Sequence, residues 1–77
     1  MMAHSKYCKV VVFATEKEID ALDNILSLPA LLAMVRKVEL VNASTNTFSY
    51  LIEVDKKMFH ILLDEKMKGH LQEVKLV

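Results

Sequence analysis

Apolar side chains recur at every second position in some stretches of this sequence and at every third or fourth in others, marking out strands and helices in turn. Tyr7 to Ala14 is dense in β-branched and aromatic residues and predicts a strand central in its sheet. Cys8, Val10, Val12 and Ala14 share one face of it; Tyr7, Lys9, Val11 and Phe13 share the other, which is half apolar too. Thr15-Glu16-Lys17-Glu18 then has the form of a capping box, and Glu16, Glu18 and Asp20 suit the positive end of a helix dipole. The helix that starts there turns Ile19, Leu22, Ile25 and Leu26 to one side and Lys17, Asp20, Asp23, Asn24 and Ser27 to the other.

The oiliest run follows, Leu28-Pro29-Ala30-Leu31-Leu32-Ala33-Met34-Val35. Pro29 disfavours helical geometry at Leu28 and has no N–H to donate, so the first helix is kinked or broken there and restarts with Pro29 in its first turn, running to about Arg36. This second piece is apolar nearly all round. A helix packed on one side needs only a stripe, so the rest of the domain or another copy of the chain must cover the surplus.

Lys37 to Asn42 predicts a short strand with Val38 and Leu40 on one face and Glu39 and Val41 on the other, and Asn42 to Asn46 is a polar turn cluster. Thr47 to Val54 alternates most cleanly: Phe48, Tyr50, Ile52 and Val54 point one way, Thr47, Ser49, Leu51 and Glu53 the other. Asp55 is placed to cap a helix over Lys56 to Lys68, whose buried side is Met58, Phe59, Leu62, Leu63 and Met67. Asp64 and Lys68 stand four apart for an ion pair, and Gly69 sits where a left-handed C-terminal cap needs it. Leu71 to Val77 predicts a last strand with Val74 and Leu76 inward.

Strand, helix, strand, strand, helix, strand is the order of an α+β, ferredoxin-like βαββαβ domain. Right-handed crossovers make a four-stranded antiparallel sheet of order 4-1-3-2 with two helices on one face. Facing the helices would be Cys8, Val10, Val12, Val38, Leu40, Phe48, Tyr50, Ile52, Val54, Val74 and Leu76. The open face would carry Val11, Phe13, Ser49 and Leu51, flanked by Glu39, Val41, Glu73 and Lys75.

At 77 residues the chain is a single domain, 1–77, with residues 1–5 expected to be a flexible start, near the size at which one core is marginal and association helps. One Gly and one Pro leave no room for linkers. Ten basic and ten acidic side chains cancel, so no net field favours nucleic acid or an anionic membrane. The twelve uncharged residues between Asp23 and Arg36 fall short of the roughly 20 that span a bilayer. Cys8 is the only cysteine, which excludes an internal disulfide and suits a buried thiol in a reducing, cytoplasmic setting; with no signal-peptide pattern at the start, the sequon Asn42-Ala43-Ser44 reads as chance.

No catalytic constellation is visible, and none is expected: the chain reads as no enzyme, with no cofactor and no metal. The junction Phe13-Ala14-Thr15-Glu16 lacks the cysteine pair of copper-carrying domains and the Gly and Arg of an acylphosphatase anion loop. His4, His60 and His70 have no ligand spacing, and His60 with Asp64 reads as a helix-surface pair. Thr47-Phe48-Ser49-Tyr50-Leu51 resembles the middle of the third-strand octamer of RNA-recognition domains, but exposing Phe48 and Tyr50 would evict Ile52 and Val54 from the core.

Leu26-Ser27-Leu28-Pro29 before a valine-containing strand start resembles the helix end of ACT-like effector domains and of the effector-binding half of feast/famine regulators. The resemblance implies the fold alone, because their glycine-bearing ligand turn is replaced by Asn42-Ala43-Ser44-Thr45-Asn46. The expected function is a small protein–protein interaction module, a homodimer or the binder of a protein partner, with an interaction surface drawn from Val11, Phe13, Val41, Leu51, Leu28, Leu31 and Leu32. The alternative is an ACT-like regulatory domain that binds a small effector between subunits, near the Asn42 to Asn46 turn and the first helix start.

Overall fold

A computed structural model describes residues 7–77, and the expected flexible start, 1–5, lies outside the described residues. Strand β1 (Tyr7–Thr15) leads directly into helix α1 (Glu16–Ser27), which the capping pattern begins as predicted: the Thr15 N–H donates to Glu18 Oε1 at 2.9 Å. Leu28 is extended, with φ −63° and ψ 126°, and breaks the helix before Pro29 opens the single turn α2 (Pro29–Leu32). The restart is shorter than expected. Met34 donates its N–H to the Leu31 carbonyl to close the turn, and Val35 and Arg36 already belong to strand β2 (Val35–Ala43).

A tight turn follows, in which the Ser44 N–H and hydroxyl both donate to the Thr47 carbonyl, and β3 (Thr47–Asp55) returns along β2. Asp55 caps α3 (Lys56–Met67) by accepting from the Lys57 N–H at 2.8 Å. At the other end Gly69 has φ 85°, the Gly69 N–H reaches the Lys66 carbonyl and the His70 N–H reaches that of Glu65. This is the paired hydrogen bonding of a Schellman cap, and it frees the chain to enter β4 (Glu73–Leu76).

The fold is α+β: one antiparallel sheet of order β2-β3-β1-β4, the predicted 4-1-3-2 read from its other edge, consistent with a ferredoxin-like type. The register pairs Val10 with Ile52 and Val12 with Val74, so the even-numbered face is apolar across three strands. Val10, Val12, Ile52, Val54 and Val74 of that face are buried with Leu22 and Ile25 of α1, Met58 and Leu62 of α3, and Leu71. Each fully buried Leu or Ile side chain contributes about 1.5–3 kcal/mol.

The expected core is too wide on one side. Val38 and Leu40 lie on the helix side of the sheet, paired with Ile52 and Tyr50, yet they are 46% and 52% exposed. The reason is the seating of the helices: α1 packs on β1, and α3 on β1, β3 and β4, so neither reaches β2 to any extent. Leu76, expected inward, is also exposed, at the end of the edge strand β4, while Leu71 ahead of the strand is buried in the core. Cys8 is half-buried, as are Phe48 and Tyr50.

Candidate interaction surface

The open face of the sheet assembles as the alternation predicts. Val11 pairs with Leu51 and Phe13 with Ser49 across β1 and β3, while Lys75 and Glu73 stand beside Val11 and Phe13 on β4. Glu39 flanks Leu51 from β2. Val11, Phe13 and Leu51 are partly buried, and Ser49 between them is buried.

One end of this face is basic. Lys9 and Lys37 stand on either side of Glu53 in the register, and Arg36 approaches the same carboxylate at 3.9 Å. The Arg36 guanidinium also stacks over the Tyr7 ring, 4.8 Å from its centroid. A small hollow of ≈ 110 Å³ opens among Lys9, Lys37, Leu51 and Glu53.

The residues singled out from the sequence separate into groups. Val11, Phe13 and Leu51 form the open-face patch. Leu28 and Leu32 are about half exposed, at 50% and 53%, whereas Leu31 turns inward and packs against the core with Met34 and Val35. Part of the apolar run is therefore internal. Val41 is 49% exposed and sits at an irregularity between Leu40 and Asn42 where β2 loses step with β3. Sequence reasoning missed Val38 and Leu40 as surface residues; period-two alternation reports which face a residue occupies, and not whether anything lies over that face.

A second hollow, open and of ≈ 590 Å³, lies between the start of α1 and the β2–β3 turn, lined by Glu16, Lys17, Ile19, Asp20 and Asn46. It joins the two segments between which an effector site was expected. Its walls carry two carboxylates, an ammonium, an amide and one aliphatic side chain.

Burial pushes the Cys8 thiol up, with Asp55 adding to that and Lys56 opposing it, so at neutral pH the group is a thiol rather than a nucleophilic thiolate. His70 Nδ1 lies 2.7 Å from Glu65 Oε1, His60 is exposed with its ring 5.7 Å from that of Phe59, and His4 lies outside the described residues. Asp64, expected to pair with His60 or Lys68, pairs with Lys68 at 3.1 Å. Among the described residues no three His, Cys, Asp or Glu side chains converge as metal ligands, and no helix is long and apolar enough to cross a membrane.

No family model, curated protein or solved structure matches the chain.

Proposed function

We propose that this chain is a small non-enzymatic interaction module of ferredoxin-like type that works as a homodimer in the cytoplasm. The observation that carries the reading is the unsheltered β2 side of the domain. Val38, Leu40 and Val41 there, with Leu28 and Leu32 of the broken helix, are each about half exposed, beside a core that the helices cover over β1 and β3. Apolar surface of this kind, with Arg36, Lys37 and Glu39 interspersed, has the make-up of a contact patch with a polar rim. The balanced charge favours protein over nucleic acid as the partner.

Light scattering over a wide concentration range tests this on the wild type, Leu40→Lys and Phe13→Glu, with circular dichroism to check folding. A wild-type dimer that Leu40→Lys turns into a folded monomer places the contact on the β2 side, and a dimer lost only with Phe13→Glu places it on the open face. A wild type that stays monomeric at every concentration sinks the reading.

The hollow between α1 and Asn46 favours a second reading, an ACT-like domain that binds a small effector. Its test is a panel of amino acids and nucleotides scored by melting temperature, since a ligand of the native state raises it by linkage. A flat response across the panel removes this alternative.

A further inference from the structure

Strand β2 forms one edge of the sheet over nine residues, and among the described residues its outer backbone edge meets no other strand. Such an edge either repels other strands or recruits one. Its regular part runs from Lys37 to Leu40, between the irregularities at Val35/Lys37 and Leu40/Asn42. Within it Lys37 and Glu39 share the open face on either side of Val38, near enough to pair with each other at 3.7 Å, and both are well exposed.

These residues restrict how two copies could meet. In an antiparallel pair directly opposed residues point to the same face, so a two-fold axis perpendicular to the sheet must pass midway between the two copies of one residue, pairing odd with odd and even with even. Centring on Glu39 opposes two carboxylates, and centring on Lys37 opposes two ammonium groups. Centring on Leu40 matches neither charge and runs into the irregularity beyond it. Only the register centred on Val38 sets Lys37 of each copy against Glu39 of the other.

We propose that β2 pairs antiparallel with β2 of a second copy about Val38, joining two four-stranded sheets into one of eight. This rests on the homodimer reading above and specifies its interface. On the open face, two Lys37–Glu39 pairs cross the junction. On the helix side, the uncovered Val38 and Leu40 of both copies merge into one apolar floor. Both copies contribute the same strand, so the contact closes on itself and does not propagate.

The test uses Lys37→Glu and Glu39→Lys, alone and mixed, in sedimentation experiments. Each variant alone opposes like charges at both pairs and is expected to raise the dissociation constant about tenfold. Their equimolar mixture restores every pair and regains wild-type affinity as a heterodimer, which a simple loss of fold cannot mimic. Val38→Cys on a Cys8→Ser background is expected to form an intermolecular disulfide on mild oxidation, because opposed residues across a strand pair lie within disulfide range. A wild-type dimer indifferent to both charge changes, or one cross-linked by Leu51→Cys and not by Val38→Cys, overturns the edge pairing and leaves the homodimer standing. A monomeric wild type overturns both.

Discussion

Gln72 donates from Nε2 to Glu18 Oε2 at 2.9 Å, across 54 residues of sequence, while the other oxygen of the same carboxylate accepts the Thr15 N–H. One side chain thus starts α1 and ties it to the segment entering β4, where the Gln72 N–H also donates to the Phe13 carbonyl.

Burial pushes the Glu18 carboxyl up, but the hydrogen bonds from Thr15 and Gln72 outweigh it and hold the group below the usual carboxylate range. A carboxyl depressed in the folded state stabilises the fold above its unfolded pKa, and that contribution is lost as pH falls through the folded value. Glu18→Gln is therefore expected to cost roughly 0.5–2 kcal/mol at neutral pH and to converge on the wild type as pH falls through the folded value. Thermal melts over that pH range check it; a gap that persists in acid would assign the effect to shape rather than charge. Glu73, held down by Lys66 and by the Val74 N–H, titrates in the same direction in both proteins and does not affect the difference.

Gly69→Ala isolates the cost of a backbone conformation. A Cβ at Gly69 would meet nothing within 4 Å, so only the left-handed φ of 85° opposes it. The expected loss is about 1 kcal/mol, seen as a lower urea midpoint with unchanged slope. A neutral substitution would show that the cap relaxes to another geometry.

Leu62→Ala and Leu40→Ala form a contrasting pair. Leu62 is fully buried and its truncation is expected to cost about 2–5 kcal/mol, a large part of the roughly 4–11 kcal/mol that a chain of this length commands. Leu40, half exposed, is expected to cost about 0.5 kcal/mol or less in dilute solution. Equal losses would mean that something covers β2 even there.

Much of the fold is legible in the sequence where a local device and the long-range pattern agree. The capping box at Thr15, the break at Pro29, the Asp55 cap and the glycine after α3 all act within a few residues, and each appears where it is read. The sheet order follows from the crossovers. What escapes is the lateral seating of the helices, which depends on how Leu22, Ile25, Met58 and Leu62 interlock with β1, β3 and β4. For the same reason Leu31 was indistinguishable from Leu28 and Leu32 in an all-apolar run, although only Leu31 packs inward.

Strand β2 is held along one edge, with both faces open to water over most of its length. Amide hydrogens there are expected to exchange with solvent through openings cheaper than global unfolding, ahead of those of β1. The domain therefore keeps time by two clocks, a slow one in the three strands under the helices and a fast one at the margin. Whatever occupies that margin would first be felt as a slowing of the fast clock, with the slow one unchanged.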